Sequence, residues 1–458
     1  MTLKQAIKKK DVAKIRSITK DSPLADIADN LEKLSSEDIS MYFYLLKSEF
    51  QSDVFSHLEP EYQKQLVDVF TDQQMKDIVG EMYASKIADL IEEVSEDLSD
   101  RIFKSTDDET KIAINKILKY SEDQTGHIMN VDIVLLKQSQ TIEKSISIIK
   151  EARKDSRLAH FFFVTDSKGK LVGHIALEDL LFGKKSSKIS SITKPSASVK
   201  TTTDKEAAAL QFANYDMSVL PVVNSVNQVV GMITADEMID VVTEEATEDI
   251  QKMAGIETND DTPYSKIKIW SIFKSRTLWL MLLMLSATIS QIVLDSFQGY
   301  STKFTTIVFT TAIVAILPVI SGAAGNAGSQ SSTTIIRALA TGDISPKQYL
   351  KVLWKEFRVA VLIGLSLGIV NFVRLIIYYS AKGTFDKDYI FLSLAASLSL
   401  FAVIVLAKVV GGTLPLIAKK MKLDPAVMAA PLLTTLIDAL STMIFFGISI
   451  GIMAAILN

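Results

Sequence analysis

The stretch Leu317-Pro-Val-Ile-Ser-Gly-Ala-Ala-Gly-Asn-Ala-Gly-Ser-Gln-Ser-Ser332 lies inside a long apolar segment and combines small residues with two side-chain amides. Its three glycines permit the close backbone approach that is typical of helices packed within a membrane. Asn326 and Gln330 lie four residues apart and therefore share one helix face. Amides on that face are costly against lipid, so they predict either a polar ion path or hydrogen bonds that join helices.

Four further apolar segments accompany this one. The five segments lie near residues 277–294, 304–339, 359–379, 389–418 and 426–457. Each approaches or exceeds the ~20 residues that a helix needs to cross the apolar part of a bilayer. The sequence therefore predicts five membrane-spanning helices.

Charge is divided unevenly along the chain. The whole chain has 49 Lys and Arg against 53 Asp and Glu; residues 277–458 hold 13 and 7 of them, which leaves 36 and 46 for residues 1–276. Basic residues precede the first apolar segment and crowd the second and fourth connections, which predicts a cytosolic N-terminus and a C-terminus outside. The basic start has no apolar run behind it and is not a signal peptide. We expect a multi-pass protein in the inner membrane of a bacterial-type cell.

The last apolar segment contains an acid. Asp438 lies well inside it, where a carboxylate costs several kcal/mol unless it faces water or a partner. Hydroxyl side chains lie three or four residues away on the same helix face: Thr434, Thr435, Ser441 and Thr442. Hard cations such as Mg²⁺ prefer oxygen ligands, so this face predicts an ion path. The alternative is a structural ion pair between Asp438 and Lys408.

Residues 1–125 predict a domain of short amphipathic helices. Three phrases recur, at residues 31–39, 58–66 and 91–98, and each ends one helix and offers Ser or Pro with acidic residues at the start of the next. This is the pattern of helix N-terminal caps. Repeated short helical hairpins indicate a small superhelical domain.

A clearer internal repeat follows. Residues 164–181 align without gaps on residues 222–239, so that Gly173 falls on Gly231 and Leu181 falls on Ile239. Each copy predicts a strand, a turn, a second strand and a helix that begins with acidic residues. The repeat resembles a tandem pair of CBS domains.

That resemblance implies adenine-nucleotide binding through a Ser or Thr after the second strand and an Asp three residues later. The first copy has Ala176 and Asp179, and the second has Thr234 and Glu237, so neither pair is complete. Asp179 and Thr234 are the residues left to contact ATP as a candidate ligand. A structural dimerisation module is the favoured interpretation.

Taken together, the chain resembles the MgtE family of magnesium channels and transporters. Four motifs in order carry the likeness: residues 245–250, 325–330, 335–340 and 431–438. The resemblance implies a multidomain membrane protein with an α-helical superhelical N domain (1–125), an α/β tandem CBS pair (126–246), a linking plug helix (247–276) and a five-span α-helical pore domain (277–458). It also implies a homodimer in a lipid bilayer. The path would be lined by Asp438, Thr434, Thr435, Asn326 and Gln330.

The family resemblance further implies a channel for Mg²⁺ uptake that cytosolic Mg²⁺ holds shut. Acidic residues crowd the approaches to the linker, and like charges repel unless cations sit between them. The candidate regulatory ligands are Asp97, Asp100, Asp236, Glu237, Glu257, Asp260 and Asp424. Lys408 departs from the family pattern, since a neutral side chain is expected there.

Other classes remain as alternatives. A transporter of another divalent cation, such as Co²⁺ or Mn²⁺, fits the same motifs. A coupled carrier would need a second acid well inside a span, and a nucleotide sensor would need complete nucleotide-reading pairs. An enzyme is not expected, because the chain has four His, no Cys and no nucleophile–base pattern. No nucleic-acid partner is expected either.

Overall fold

The structure, a computed structural model, describes the chain except for residues 1, 47, 153–159, 216–217, 258–263, 265–266, 302–306, 385, 429 and 458. The chain forms two compact units, Met1–Thr243 and Glu244–Asn458.

The first unit begins with ten short helices in its described residues: α1 (Leu3–Lys8), α2 (Val12–Asp21), α3 (Leu24–Glu32), α4 (Ser36–Leu45), α5 (Ser48–Ser56), α6 (Pro60–Val69), α7 (Asp72–Val79), α8 (Ala84–Glu93), α9 (Glu96–Ser105) and α10 (Asp108–Ile117). They share one core, in which Phe43 packs edge-on against Phe55 and Phe70. The predicted helix starts are present, but only one has a side-chain cap: the Ser35 hydroxyl accepts the Asp38 N–H at 3.3 Å, Pro60 opens α6 without one, and Ser95 before α9 forms no cap hydrogen bond. The predicted class of the N domain, a superhelical arrangement of short α-helices, is confirmed.

Two three-stranded sheets follow in the same unit. They consist of β1 (Leu135–Lys137), β2 (Phe161–Thr165) and β3 (Leu171–Ala176), then β4 (Val199–Lys200), β5 (Val219–Val223) and β6 (Val229–Thr234). In each sheet the middle strand pairs parallel with the first and antiparallel with the third. The helices are α11 (Thr125–Ile128), α12 (Ile142–Glu151), α13 (Leu177–Phe182) and α14 (Lys205–Asn214).

The constant offset of the sequence repeat is reproduced element by element. β2 and β5 are related by it, and so are β3 and β6. The turn between the strands requires a left-handed residue in both copies: Gly169 has φ +79° and Asn227 has φ +67°. Gly and Asn are the residues that reach this conformation at least cost. The predicted CBS pair is therefore confirmed, in agreement with its family pattern.

The linker differs from its prediction. Helix α15 (Ala235–Met253) ends well before Arg276, and α16 (Ile269–Ser301) begins a new helix. Gly255, with φ +68°, ends α15: its N–H bonds to the Lys252 carbonyl, and the next N–H bonds to the Gln251 carbonyl. This pair of bonds is a Schellman cap, which glycine favours. The prediction of one continuous plug helix over residues 247–276 is therefore wrong. The limits of the four predicted domains remain predictions.

Five helices of the second unit are long and apolar enough to span a membrane within the described residues, which confirms the predicted number. They are α16, α17 (Ile307–Ala340), α18 (Tyr349–Ala381), α19 (Lys387–Lys420) and α20 (Ala430–Leu457). Helix α19 packs against α17, α18 and α20, whereas α16 packs mainly against α20. The third spanning helix begins at Tyr349 rather than near residue 359, and this earlier start brings Glu356 into it.

Candidate functional site

A cavity of about 460 Å³ lies between α16, α17 and α20 in the second unit. Its walls are formed by Ser290, Gln291, Leu294, Leu317, Pro318, Ser321, Gly322, Asp438 and Thr442. Asp438 is the acid among these described lining residues. Three hydroxyls and one amide accompany it, so the cavity offers a carboxylate with neutral oxygen ligands around it.

Helix α17 is shaped to form this wall. Pro318 lacks the N–H that would bond one turn back, which leaves a carbonyl without its helical partner. A Cβ atom at Gly322 would meet nothing within 4 Å, so glycine leaves this part of the cavity open. One turn further, Gly325 packs against Thr434 of α20, where a Cβ atom would lie 3.3 Å from the threonine methyl group. The small residues of α17 therefore serve both close packing and open space.

The predicted path residues do not all meet in this cavity. Asp438 lines it, but the Thr434 and Thr435 hydroxyls donate to backbone carbonyls of their own helix, to Pro431 at 3.0 Å and to Leu432 at 2.8 Å. Asn326 and Gln330 lie on an exposed face of α17 and are not part of the cavity lining.

Three polar residues of the lining were not predicted. Ser290 and Gln291 lie on α16, which the sequence analysis treated only as an apolar span. Ser321 lies just before the glycine motif. The available signal was the run of polar residues in the second half of the first apolar segment, at Ser286, Thr288, Ser290 and Gln291.

Lys408 does not pair with Asp438, so the alternative ion pair is wrong. Its ammonium group lies 3.6 Å from a Glu356 carboxylate oxygen and donates a 2.7 Å hydrogen bond to the Ser331 hydroxyl. Glu356, near the charged start of α18, is a second acid of the membrane unit with a largely buried side chain. Among the described residues, no Lys or Arg forms an ion pair with Asp438.

The candidate regulatory acids lie in both units. In the first unit, Asp97 and Asp100 are exposed on α9, and Asp236 and Glu237 lie in the first turn of α15. Glu257, in the second unit, is exposed. Asp260 lies outside the described residues. No group of three or more His, Asp or Glu side chains in the described part of the chain is arranged to hold a metal ion.

Asp424, in the second unit, is paired with a lysine side chain of the protein itself. Its carboxylate accepts a 2.7 Å hydrogen bond from the Lys252 ammonium, which also lies 2.5 Å from Glu248. Burial lowers the pKa of Lys252, but its bonds to Asp424 and Glu248 outweigh burial and the net pKa is raised. Burial, and then the Asp424 charge, raise the pKa of Asp249. The Lys252 ammonium group is thus bound to Asp424, a carboxylate that the sequence predicted as a ligand of Mg²⁺.

The two candidate nucleotide residues are engaged within the protein. The Asp179 carboxylate accepts from the Lys194 ammonium at 2.9 Å, and this bond holds the pKa of Asp179 below its usual value. The Thr234 hydroxyl donates to Glu237 at 3.0 Å, and the Thr234 N–H donates to the same oxygen at 2.9 Å. Glu237 thereby satisfies an N–H at the start of α15, as the acid of a capping box does.

Five spanning helices with an acid-lined cavity, joined to a helical domain and a CBS pair, define a multi-pass membrane protein with a soluble CBS module. The sequence pattern of the MgtE divalent cation transporters matches residues 317–448, that of the MgtE intracellular N domain matches 22–123, and that of the CBS domain matches 126–184 and 189–244. The chain belongs to the MgtE family.

Relatives support this assignment. The magnesium transporter MgtE of Thermus thermophilus is 31% identical over 344 residues, which cover 75% of this chain and 73% of the relative. The magnesium transporter MgtE of Bacillus subtilis is 28% identical over 74% of this chain and 71% of the relative. Both relatives are named as magnesium transporters.

Solved structures resemble the soluble part. The cytosolic domain of the Mg²⁺ channel MgtE in complex with ATP is 28% identical, with a TM-score of 0.50, and the match covers 52% of this chain and 98% of that one. The soluble part of a magnesium transporter is 22% identical with the same TM-score, over 53% and 96% of the two chains, and supports the fold alone.

Proposed function

We propose that this protein is a magnesium channel that admits Mg²⁺ through its membrane unit. The observation that carries the proposal is Asp438: it lies within a spanning helix, lines a cavity, and forms no ion pair with a described Lys or Arg. A carboxylate in a membrane is costly unless water or a cation stabilises it. The relatives named as magnesium transporters make Mg²⁺ the first cation to test.

The lining of the cavity suits a cation that keeps much of its water. Mg²⁺ gives up its water reluctantly and binds through few carboxylates. One carboxylate with hydroxyl and amide neighbours therefore supports binding of a hydrated ion that is weak enough to allow release.

Passive conduction is favoured over coupled transport. A coupled carrier needs a second acid that can change its charge, and Glu356 is the obvious candidate. Its carboxylate is already matched by Lys408 at 3.6 Å and by the Ser331 hydroxyl at 2.6 Å. Its charge is therefore used in an internal ion pair and a hydrogen bond rather than left for a coupling ion.

The direct test is ion flux into proteoliposomes that contain the purified full chain. We expect Mg²⁺ uptake down its gradient, without need of a proton or sodium gradient, and weaker uptake of Co²⁺ and Mn²⁺. Asp343→Asn changes an exposed acid in the connection between α17 and α18 and should conduct normally. It is the matched control for replacing Asp438 by Asn. Uptake of Co²⁺ or Mn²⁺ in preference to Mg²⁺ would instead favour the alternative function, a transporter of one of those two cations.

We further propose that cytosolic Mg²⁺ holds the channel shut. The acids Asp97, Asp100, Asp236, Glu237, Glu257, Asp260 and Asp424 are the proposed regulatory ligands. Like charges that must approach in a compact state disfavour that state until cations bind between them. Mg²⁺ that prefers the compact state then shifts the population toward it.

The assembly and its orientation also belong to the proposal. Residues 317–340 expose the amides Asn326 and Gln330 on a spanning helix, which supports a second copy of the chain as the partner that covers them. The charge pattern supports a cytosolic N-terminus in a bacterial-type inner membrane. Native mass spectrometry in mild detergent should show two chains, whereas a conducting monomer would contradict the homodimer.

ATP binding at the CBS pair is a second candidate function, which the ATP complex of the related cytosolic domain favours. Binding would require the Asp179–Lys194 pair or the Thr234–Glu237 bonds to open. If ATP binds, millimolar ATP should raise the melting temperature of the full chain, and Thr234→Val should remove the rise. An unchanged melting temperature would leave the CBS pair as a dimerisation module.

A further inference from the structure

Three helices of the membrane unit meet at a buried polar cluster outside the cavity. Ser331 of α17 donates to the Glu356 carboxylate of α18 at 2.6 Å, and Lys408 of α19 donates to the Ser331 oxygen at 2.7 Å. The Lys408 and Glu356 charges lie 3.6 Å apart, with side chains only 5% and 13% exposed. The cluster is an ion pair with a hydroxyl bridge.

The backbone around the cluster is built to fit it. A Cβ atom at Gly412 would lie 3.0 Å from the Glu356 side chain, so glycine makes room for that acid against α19. At Gly411, a Cβ atom would overlap the Gly328 carbonyl, and at Gly328 it would lie 3.1 Å from the Ala407 carbonyl. Helices α17 and α19 therefore cross in backbone contact about one turn before Ser331.

The same face of α17 connects the cluster to the helix that carries Asp438. A Cβ atom at Gly328 would lie 3.3 Å from Leu433 of α20, and Gly325 packs on Thr434. A shift of α17 at Ser331 would therefore change its contact with α20 one to two turns away. Ser331 also directly follows Gln330, which the sequence predicted to lie on the ion path.

Charge gives the cluster a second consequence. A positive charge in a low-dielectric interior acts over a long range and repels a divalent cation twice as strongly as a monovalent one. Lys408 alone would therefore oppose Mg²⁺ entry even from outside the cavity. Paired with Glu356, it leaves the cluster close to neutral.

We propose that Glu356 and Lys408, bridged by Ser331, form a charge-compensated clamp that positions α17, a helix that lines the cavity, and leaves no net charge in the packing behind it. Both are positioning residues, since neither lines the cavity. The inference rests on the proposed cation conduction, so its test has one arm that needs no transport.

The first arm measures thermal stability in detergent for Glu356→Gln, Lys408→Met and the double variant. Each single variant leaves a buried charge without its partner, which is more damaging than removing both charges. We expect the double variant to melt above either single variant. If the losses simply add, the two residues do not act as a pair and the clamp is overturned, whatever the protein transports.

The second arm measures Mg²⁺ flux against Mg²⁺ concentration. Glu356→Gln leaves the Lys408 charge uncompensated, and we expect the KM for Mg²⁺ to rise about tenfold. The double variant should return to within about twofold of the wild-type KM. Lys355→Met, which removes a positive charge from the exposed face of α18, is the matched control and should leave KM unchanged.

The outcomes separate the explanations. Recovery of KM in the double variant supports charge compensation, and a double variant as impaired as Glu356→Gln overturns it. If Glu356→Gln does not fold, the KM of the folded double variant decides in the same way. If the wild-type protein conducts no cation, the proposed function fails, while the stability arm still decides whether the clamp exists.

Discussion

Two acids on spanning helices of the membrane unit, Glu356 and Asp438, are in opposite situations. Glu356 lies at a crossing of three helices and is matched by Lys408 and Ser331. Asp438 lies at a cavity, with hydroxyl and amide groups around it and without an ion-pair partner among the described Lys and Arg residues. The two differ in their neighbours rather than in their chemistry.

This difference teaches how to recognise a functional carboxylate inside a membrane. A buried charge that already has an ion-pair partner has a structural role. Removing the partner leaves the charge buried and unpaired, and this destabilises the protein. A charge that is unmatched and borders open space can be stabilised by a cation that arrives from water. Lys252 matches Asp424 in the same way, by a hydrogen bond of 2.7 Å.

The largest effect is expected at Asp438. Asp438→Asn keeps the shape of the side chain but removes an attraction of about 4 kcal/mol per unit charge at 4 Å in a partly screened site. Mg²⁺ flux should fall more than about a hundredfold, far more than in the Glu356–Lys408 double variant. Gel filtration should still show a folded protein. Near-normal flux in Asp438→Asn would remove the distinction between the two acids.

Blocking the cavity without touching its charge should have the next largest effect. Gly322→Leu places a side chain where a Cβ atom meets nothing within 4 Å, so the protein should fold while the space beside Asp438 shrinks. We expect flux to fall about tenfold, since one bulky group adds steric and desolvation cost of ~1.4 kcal/mol or more.

Gly447→Leu is the matched control for this variant, because a Cβ atom at Gly447 of α20 also meets nothing within 4 Å and Gly447 does not line the cavity. Equal flux in the two leucine variants would show that the cavity is not on the ion path.

A smaller effect is expected where Lys252 matches Asp424. In the wild-type protein, millimolar Mg²⁺ should protect the linker around residues 257–261 from proteolysis, and EDTA should expose it. Lys252→Met leaves Asp424 and Glu248 without their shared cation, so cleavage should depend more steeply on Mg²⁺. Identical cleavage of the wild-type linker with and without Mg²⁺ would refute the gating model and leave the path assignment standing.

The smallest effect concerns pH. Burial and Asp424 raise the pKa of Asp249 above its unfolded value, so its ionised form destabilises the fold at neutral pH, and this penalty is relieved as the pH falls through the raised pKa. Asp249→Asn should therefore raise the melting temperature at neutral pH, on the order of 1 °C, with no difference once the pH lies below the unfolded pKa. A gain that persists at low pH would mean that the charge of Asp249 is not its cause.

The sequence by itself determined the five spans, the CBS repeat and the acid of the cavity. Each of these depends on local pattern: apolar length, a gapless repeat that places Gly173 on Gly231, and one carboxylate among hydroxyls at helical spacing. The turn residues Gly169 and Asn227 occupy the left-handed conformation that such residues favour.

Only the tertiary structure decided which partner each intramembrane charge has. Lys408 lies between Glu356 and Asp438 in the sequence, on a different helix from either, and nothing in the periodicity of these helices ranks the two acids. The choice depends on the crossing of α17 and α19 at Gly328 and Gly411, which brings Ser331 and Lys408 together. Helix crossings arise from packing between distant segments, whereas spans and caps arise from neighbours in sequence.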